Sequence, residues 1–521
     1  MSASTIDQYR RGRGVNSTDT QPPSRLPYPD RHTILQALAR PEGFDLAVIG
    51  GGATGLAIAL QAAWAGRSVA LVEARDFASG TSSRSTKLLH GGVRYLAQGE
   101  ISLVREALHE RKSLIELGPR LARPLRFVMP AYRWWERAFY GSGLLAYQAL
   151  AGQSSLGRTD LISRADTQSR YPQLIAEGLR GAVSYFDAQF DDAGFALAMA
   201  RGAAKAGAVV LNRVQALSVQ AGLNRSAAVS LIDRETGTRL SLTARDVVNA
   251  SGIWVDALRS NPPIVQPSQG AHIVVDRRFF PSDDALLLPR TADGRVLFVI
   301  PWLGHCVIGT TDTPRDSSDV ALGQEPLPFS EEIDLILKEV SRLLSPAPRR
   351  SDILSAWAGL RPLVRPVTTS NPSSATKAST HKISREHSIE VDAHGMLTIT
   401  GGKWTTCMAM ARDALRSLPH QPLTLDAPQP RRLPDDAPDC ANRAPTAAEV
   451  VWLCDNSWAR TVEDVLARRS RLLFLNIGEA LRAAPAIAQT LKTHTGQDPQ
   501  LEAFQLLANQ WLKSFVDPKA G

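Results

Sequence analysis

The stretch that decides the fold is Phe44-Asp45-Leu46-Ala47-Val48-Ile49-Gly50-Gly51-Gly52-Ala53-Thr54-Gly55. Its apolar run, residues 44–49, is short and ends in glycines, so it predicts a buried parallel strand. The Ala-rich segment 56–65 predicts a helix, and residues 68–72 predict a second buried strand that ends at Glu73. Together these segments predict a βαβ unit within about 30 residues.

The glycines of this unit have the spacing Gly50-x-Gly52-x-x-Gly55 between strand and helix, which is the context of a dinucleotide-binding turn. Gly50 allows a tight turn, Gly52 lets the backbone approach a pyrophosphate, and Gly55 lets the helix pack closely on the strand. The helix N-terminus offers N–H groups to the anion, and the carboxylate of Glu73 accepts bonds from a ribose. The motif does not by itself separate FAD from NAD, and the alternative is a glycine turn without a ligand. The predicted contacts here are Gly50, Gly52, Ala53, Thr54, Gly55, Glu73 and Ala74.

The composition of the 521-residue chain is that of an ordinary globular protein, with 44% apolar and 21% charged residues. It excludes disordered, collagen-like and coiled-coil architectures for the whole chain, whose length corresponds to two or three domains. The four cysteines are far apart, which predicts neither a metal site nor a disulfide framework and favours a reducing compartment. No run of about 18 apolar residues occurs, so we expect no transmembrane helix.

Beyond the first unit, predicted strands and helices alternate, which indicates an α/β body. Further strands are predicted at 208–211, 246–250, 296–300, 306–309 and 395–400, and helices at 101–117 and 192–206. A helical region is predicted near the C-terminus, with helices at 461–475, at 477–484 (ended by Pro485) and at 501–512. Residues 1–41 lack the apolar core of a secretory signal, so we expect a flexible tail with a short helix at 33–38. The Ser/Thr-rich residues 368–380 predict a surface loop.

The polar, glycine-rich segment 81–95 (TSSRSTKLLHGGVRY) is unlike an ordinary core element. With it, the sequence resembles the FAD-dependent glycerol-3-phosphate dehydrogenases, in the wider glycine oxidase and D-amino-acid oxidase superfamily. Other segments carry the same resemblance, among them Phe186-Asp187 and 191–193, which look like the family's aspartate-rich turn, and 248–256, 270–275, 300–302, 308–312, 359–363, 400–406 and 459–469.

The resemblance implies an α/β fold with a Rossmann-like, FAD-binding GxGxxG domain, an inserted mixed-sheet substrate domain and a C-terminal α-helical domain. The expected divisions are a flexible tail at 1–40, FAD-binding segments at 41–120, 191–260 and 386–416, a substrate or membrane-contact segment at 121–190, a substrate-binding domain at 261–385, a linker at 417–446 and the helical domain at 447–521. It also implies further FAD contacts at Ser82, Ser83, Lys87, Leu89, His90, Gly91, Val214, Ala250, Gly252, Trp254, Gly402, Lys403 and Thr405.

Oxidation of a phosphorylated alcohol requires a proton acceptor and cations that hold the phosphate. The candidate acceptors are His90 and His272, either of which could instead be a flavin contact or a structural histidine. Arg361 lies between apolar residues, where a cation needs a partner, so it predicts substrate binding near the flavin or, alternatively, a structural ion pair. Lys403 follows two glycines at a strand end and predicts a phosphate or flavin contact, the alternative being a helix-capping lysine.

Arg94 follows His90 by four residues, so we expect both on one face of a helix. By the resemblance, Arg94 and Tyr95 contact the substrate phosphate or the adjoining pocket; a surface arginine is the alternative for Arg94. The four catalytic candidates are therefore His90, His272, Arg361 and Lys403, and the substrate-binding candidates are Arg94, Tyr95, His272, Arg361 and Lys403.

The formal net charge of +8 is concentrated in part near residues 120–137, where five arginines alternate with aromatic residues. This pattern predicts a peripheral membrane contact through residues 120–147, the alternative being a core helix with an arginine-lined solvent face. Nucleic acid is excluded as a partner because no recognition-helix, zinc-finger or base-stacking pattern occurs.

The function implied by the resemblance is oxidation of sn-glycerol 3-phosphate to dihydroxyacetone phosphate, with hydride transfer to flavin N5 and electrons passed to a membrane quinone. The expected location is cytoplasmic, at the inner face of the cell membrane. The sequence leaves open whether the protein forms a homodimer. The alternatives are an amine or amino-acid oxidase that uses O2, a dehydrogenase of the same substrate that uses O2, and a non-catalytic flavoprotein.

Overall fold

The computed structural model describes residues 30–96, 99–222, 226–291, 294–316, 321–365, 387–425 and 431–516, without the side chains of Arg94 and Tyr95. The loop predicted at 368–380 and the tail before residue 30 lie outside these residues. The predicted helix at 33–38 is present as Arg31–Leu38, because Asp30 accepts the N–H of Thr33 at its N-terminus.

Within the described residues the strands form two sheets. In chain order they are β1 Phe44–Ile49, β2 Val69–Val72, β3 Leu88–Leu89, β4 Ala122–Ala131, β5 Asp160–Ile162, β6 Gly181–Phe190, β7 Val209–Leu211, β8 Val214–Ala221, β9 Ala227–Asp233, β10 Arg239–Asn249, β11 Val265–Asp276, β12 Ala285–Leu288, β13 Leu297–Trp302, β14 His305–Gly309, β15 Thr313–Pro314, β16 Ile353–Val364, β17 His387–Val391 and β18 Met396–Gly401.

Helices cover the sheets and fill the C-terminal region. The α-helices are α1 Arg31–Leu38, α2 Ala53–Trp64, α3 Val93–Leu96, α4 Ile101–Leu117, α5 Glu136–Ala151, α6 Arg164–Arg170, α7 Asp192–Lys205, α8 Ser330–Val340, α9 Cys407–Arg416, α10 Ala447–Ser457, α11 Leu472–Leu475, α12 Ile477–Thr495 and α13 Leu501–Val516.

The first sheet has the order β17-β18-β10-β1-β2-β7, and β9 pairs with β10 while β8 pairs with β9. Its centre is parallel, since β1 pairs with β2 and β10, and β10 pairs with β18, in the same direction. These strands are short and almost fully buried, as their apolar sequences predict. Helix α2 crosses from β1 to β2 and packs against α7 and α9. The predicted βαβ unit is therefore present.

The second sheet is mixed and has ten strands. Its longest pairings are antiparallel, between β11 and β16 and between β4 and β6, while β12 runs parallel to β4. Asp187 lies inside β6, not in the turn suggested by the family pattern, whereas Asp191 caps α7 by accepting the N–H of Gly194. The strands at 121–190 and 261–364 therefore share one sheet, and the domain boundaries drawn from the sequence stay predictions.

The C-terminal region is helical, as predicted, but two of its boundaries differ. The single helix predicted at 461–475 is a π-helical turn, Asp464–Arg469, followed by α11, because Arg471 between them has a left-handed backbone with φ of 61°. Pro485 does not end its helix: α12 runs through it. Pro485 is exposed, so its missing N–H and its ring lie on the solvent side while Ile487 and Leu491 stay buried.

The described part of the connection between α9 and α10 packs on the body of the protein. The carboxylate of Asp246 accepts the N–H groups of His420 and Gln421, and Leu433 and Cys440 are buried. This segment is thus attached to the first sheet. The helical region in turn packs on β16, where Ser355 donates a hydrogen bond to the carbonyl of Leu473.

Candidate active site

The glycine turn lies where β1 ends and α2 begins. Gly50 has a φ of 110°, which only glycine adopts readily, and its N–H donates to the carbonyl of Val72. A Cβ on Gly55 would lie 2.0 Å from the Gly50 oxygen. The helix and the turn are therefore in contact at Gly55, and any larger residue there would push them apart.

The N-terminus of α2 is arranged to bind an anion. Its first amide, of Ala53, donates to the hydroxyl of Ser82 at 2.9 Å. In the described part of the chain the next amides, of Thr54 and Gly55, have no acceptor, and Gly52 supplies no capping side chain. A diphosphate would pair with these N–H groups and with the helix dipole, so these residues fit a dinucleotide cofactor.

Glu73 lies at the end of β2, beside the turn. One oxygen accepts the N–H of Gly51 at 2.7 Å and the other accepts the N–H of Arg75 at 2.8 Å. Burial raises the pKa of Glu73, while the two amides and Arg75 oppose this rise. Each carboxylate oxygen has a second lone pair for a ribose hydroxyl. The carbonyl of Glu73 also accepts the N–H of Val214, which places Ala74 and Val214 at this end of the sheet.

The carboxyl ends of β1, β10 and β18 meet at the same edge, because the three strands are parallel. The N–H of Ala250 donates to Ile49, and the hydroxyl of Thr400 donates to the carbonyl of Gly252. This edge therefore brings two distant segments next to the glycine turn, with the predicted residues Ala250, Gly252, Trp254, Gly402, Lys403 and Thr405. Lys403 is half-buried, and its carbonyl accepts the N–H and hydroxyl of Thr406.

His90 and Gly91 form a turn between β3 and α3. The N–H of His90 donates to the hydroxyl of Thr405 at 3.3 Å, so this turn lies beside the Gly402–Thr405 segment. His90 precedes the helix that contains Arg94, so the prediction that both share a helical face is wrong. Helix α3 begins only at Val93, because Gly91 and Gly92 interrupt the backbone before it. The side chains of Arg94 and Tyr95 lie outside the described structure.

Sequence reasoning missed the residues that hold this turn from the other side. The N–H of Gly91 donates to the hydroxyl of Tyr147, which itself donates to Asp187; Arg111 pairs with Asp187 at 2.5 Å. Burial raises the pKa of Asp187, and Arg111 opposes this rise. The available signal was an acidic residue within the otherwise uncharged strand at 181–190, since a buried carboxylate requires partners.

Arg361 lies on β16 with about a quarter of its side chain exposed (24%). Its Nη1 lies 3.3 Å from the carboxylate of Asp312, and its Nη2 donates to the hydroxyl of Thr310 and the carbonyl of Thr311. A Cβ on Gly270 would lie 2.3 Å from Nη2, so the glycine makes room for the guanidinium. The arginine thus has the ion-pair partner that its apolar surroundings require, yet retains a solvent-facing part.

His272 lies on β11, two residues from Gly270, and is enclosed. Its Nε2 lies 3.0 Å from the hydroxyl of Thr86, and its ring stacks on Trp357 at 4.1 Å between centroids. Its Nδ1 has no partner among the described residues. Burial, followed by the charges of Lys87 and Arg361, lowers the pKa of His272 well below 6.5, so the imidazole is neutral at physiological pH.

Lys87 and Leu89 are also fully buried. The ammonium of Lys87 donates to the carbonyl of Ser83 at 2.7 Å and to Asp192 at 2.8 Å, so its donors point into the protein interior. Leu89 belongs to β3 and pairs with Ala188 of β6. The Lys87 side chain therefore contacts the segment before it through the carbonyl of Ser83 and, by way of Asp192, through Ser85.

Comparison with known proteins identifies the family. The sequence model described as FAD dependent oxidoreductase matches residues 45–411, which is more than half of the chain. The chain belongs to the FAD-dependent oxidoreductases. A second model, the C-terminal domain of alpha-glycerophosphate oxidase, matches residues 379–501 of this oxidoreductase. The predicted family, α/β fold class and FAD cofactor are confirmed by these matches and by the structures described next.

Similar proteins include mitochondrial glycerol-3-phosphate dehydrogenases. The Mus musculus protein is 41% identical over 416 residues, covering 76% of this chain and 55% of that protein. The Arabidopsis thaliana protein is 39% identical over 428 residues, covering 79% and 65%. The oxidoreductase therefore spans about half to two-thirds of the length of these relatives.

Solved structures show the same architecture. The glycerol-3-phosphate dehydrogenase from Bacillus halodurans, complexed with FAD, has a TM-score of 0.70 at 25% identity and covers 94% of this chain and 98% of that chain. L-alpha-Glycerophosphate oxidase from Mycoplasma pneumoniae, with FAD bound, has a TM-score of 0.58 at 16% identity, covers 75% and 99%, and shows the fold alone.

Proposed function

We propose that this FAD-dependent oxidoreductase oxidises sn-glycerol 3-phosphate to dihydroxyacetone phosphate. The observation that carries the proposal is the agreement between two separate matches. The mitochondrial glycerol-3-phosphate dehydrogenases are similar over 416 residues, and the C-terminal region matches the alpha-glycerophosphate oxidase domain. Both names specify the same phosphorylated alcohol.

Arg361 is the proposed phosphate-binding cation. A guanidinium binds phosphate with two parallel hydrogen bonds, and Thr310, Thr311 and Asp312 already orient this one. Because its direction is set before substrate arrives, little conformational entropy is lost on binding. Lys403, Arg94 and Tyr95 are assigned to the same pocket as further proposals.

His90 is the proposed proton acceptor, since it is half-buried in the turn beside Thr405. His272 is enclosed between Thr86 and Trp357, and its lowered pKa makes it a weak base. We therefore assign to His272 the positioning of Thr86 and of the segment around it. FAD, when bound, accepts the hydride released from C2 of the alcohol. The role of His90 is to take the proton of the hydroxyl on that carbon.

A membrane quinone is the proposed electron acceptor, reached through a peripheral contact at the start of α5. Trp134, Trp135, Phe139 and Leu145 expose apolar surface there, beside the exposed Arg133. The proposed membrane contact is thus shorter than the contact that the sequence predicted over residues 120–147. Arg120 donates to the carbonyl of Asp435, Arg123 donates to Gln189, and Arg126 pairs with Asp284. Because these three guanidinium groups are bonded to other parts of the protein, we leave them out of the proposed contact.

No helix in the described part of the chain is long and apolar enough to cross a membrane. The proposed location is peripheral, at the inner face of the cell membrane, and it rests on the exposed aromatic residues beside Arg133. Aromatic side chains with adjacent arginines suit the interfacial region of such a membrane. The number of subunits stays a prediction.

An anaerobic reduction experiment tests the proposed reaction. Addition of sn-glycerol 3-phosphate to the FAD-loaded protein should bleach the flavin absorbance near ~450 nm. Glycerol without phosphate serves as the matched control, since it lacks the group that Arg361 binds. Bleaching by glycine or sarcosine, with none by glycerol 3-phosphate, would replace the proposal with an amine oxidase.

A further inference from the structure

We propose that the C-terminal helical region holds the FAD-binding serine segment, residues 82–87, in position through Arg471 and Trp511. The proposal rests on FAD binding, which the family membership establishes, and assigns two positioning residues that lie far from the glycine motif in sequence. The serine segment lies between helix α2, which follows the glycine motif, and the C-terminal elements that contain Arg471 and Trp511.

The inner end of the serine segment lies against the diphosphate-binding turn. The hydroxyl of Ser82 accepts the first amide of α2, from Ala53, at 2.9 Å. The carbonyl of Ser82 accepts the indole N–H of Trp404 at 2.9 Å. A displacement of Ser82 would therefore shift both the N-terminus of α2 and the Gly402–Thr405 segment.

The outer end is held by two cations. The carbonyl of Ser83 accepts hydrogen bonds from Lys87 at 2.7 Å and from Arg471 at 3.0 Å. Asp192 pairs with the same two cations, at 2.8 Å and 2.9 Å, and accepts the N–H and hydroxyl of Ser85. The side chains of Lys87, Arg471 and Asp192 are all fully buried.

This arrangement transmits the position of Arg471 to the cofactor site. Buried, charge-assisted hydrogen bonds are strong and directional, and loss of one partner leaves the others without compensation. The rings of Trp302 and Phe474 enclose Arg471, at 5.4 Å and 4.6 Å, and restrict the movement of its guanidinium. The carbonyl of Ser83 is thereby held in one direction, and Ser82 beside it is held as well.

A second contact reaches the same segment from α13. Arg84 makes a forked pair with Glu325, with N–O distances of 2.5 Å and 3.0 Å. The indole N–H of Trp511 donates to the same carboxylate at 3.1 Å. On its other side Arg84 lies against β16, where a Cβ on Gly359 would lie 2.8 Å from the Arg84 carbonyl oxygen. The serine segment is thus enclosed between β16 and the C-terminal helices.

Titration of the full-length apoprotein with FAD, followed by flavin fluorescence, tests the proposal. Trp511→Phe keeps an aromatic ring but removes the N–H to Glu325. Arg471→Lys keeps the charge but removes the guanidinium that donates to both the Ser83 and the Ala467 carbonyls. Each should raise the dissociation constant of FAD by about fivefold or more. Trp452→Phe is the matched control, because Trp452 is a buried tryptophan of the same region whose N–H has no acceptor among the described residues. It should stay within about twofold of wild type.

The apoprotein melting temperature is measured alongside, so that FAD affinity is compared only among folded proteins. If Arg471→Lys does not fold, the FAD affinity of Trp511→Phe by itself tests the proposal. Affinities of the folded variants within about twofold of wild type would overturn the proposal, even if their melting temperatures fall. So would an equal loss in Trp452→Phe. Failure of the wild type itself to bind FAD would instead overturn the cofactor assignment.

Discussion

The hydroxyl of Tyr147, on helix α5, lies 2.9 Å from the backbone nitrogen of Gly91 and accepts its hydrogen bond. The same hydroxyl donates to Asp187, and burial raises the pKa of Tyr147 well above 10, so the hydroxyl keeps its proton. A Cβ on Gly91 would lie 2.5 Å from the Tyr147 oxygen. The helix whose outer face is exposed and aromatic is therefore in direct contact with the turn that contains His90.

Replacement of Tyr147 by Phe should lower kcat about tenfold while FAD content is retained, because the Gly91 N–H loses its nearest acceptor and the His90 turn loosens. Asp187 remains, but at 3.4 Å. Steady-state kinetics with glycerol 3-phosphate provide the measurement. Tyr185→Phe is the control, since Tyr185 is buried in contact with Tyr147 and its hydroxyl makes no hydrogen bond within the described residues. Equal kinetics of the two variants would contradict the assigned role of Tyr147.

Replacement of Arg361 by Ala should reduce kcat/KM for glycerol 3-phosphate by about 100-fold or more, since a charged, forked contact with the phosphate is lost. Arg361→Lys should recover part of this loss because the charge remains. Arg278→Ala removes an exposed arginine that pairs with Asp352 beyond the far end of β11, and it should leave kcat/KM unchanged. Unchanged kcat/KM in Arg361→Ala, with FAD content intact, would remove Arg361 from the substrate site.

Replacement of Gly55 by Ala should abolish or strongly weaken FAD binding and lower the melting temperature. The added Cβ would lie 2.0 Å from the Gly50 oxygen and would push α2 off the turn. Gly143→Ala is the control, because Gly143 lies inside α5 and a Cβ added there would have no atom within 4 Å. That variant should be more stable by about 0.5–1 kcal/mol, since Ala has the higher helix propensity. Retained FAD affinity in Gly55→Ala would contradict the proposed helix–turn contact.

Acid should weaken the C-terminal interface through Asp464. Burial by itself would raise the pKa of Asp464, but the charges of Arg213, Arg468 and Arg469 lower this pKa by a larger amount. The pKa of Asp464 in the folded protein is therefore well below 3.8. As the pH falls, Asp464 takes up a proton in the unfolded chain before it does so in the folded protein. The stability that its carboxylate contributes is therefore present above the unfolded pKa and is lost as the pH falls below it. The gap in unfolding free energy between wild type and Asp464→Asn should narrow by about 1–2 kcal/mol between pH ~5 and ~2.5.

Denaturant unfolding at several pH values measures this gap. The exposed Asp283, which pairs with Arg277 at the surface, provides the control. Asp283→Asn should differ little from wild type at any pH in this range, because an exposed ion pair contributes little to stability. A gap for Asp464→Asn that stays constant across the range would show that the pKa of Asp464 is not lowered.

Simultaneous replacement of Trp134 and Phe139 by Ser should weaken binding to vesicles of phosphatidylcholine and phosphatidylserine by about tenfold or more, since two large apolar side chains leave the interface. Trp134 is 85% exposed and Phe139 is 62% exposed. Co-sedimentation measures the binding. Leu506→Ser, an exposed apolar residue on α13, should have no effect. Equal vesicle binding by the double variant and the wild type would move the membrane contact elsewhere.

Much of the architecture could be predicted because its signals are local. The strand at 44–49, the glycine spacing and the strand ending at Glu73 follow from short-range sequence patterns, and the helix at 101–117 has the predicted bounds. Local rules failed where tertiary packing opposed them. Pro485 remains inside a helix because it faces solvent, and α3 begins only after the glycines that follow His90.

Sequence alone determined the family, the cofactor motif and the residue types able to bind a phosphorylated alcohol, because each depends on neighbours within a few positions. Only the tertiary structure decided how these residues are used. Asp192 and Arg471 are 279 positions apart, and Gly91 and Asp187 are 96 apart. No local pattern specifies such pairings, since they depend on how the two sheets and the C-terminal helices bury their charges against one another.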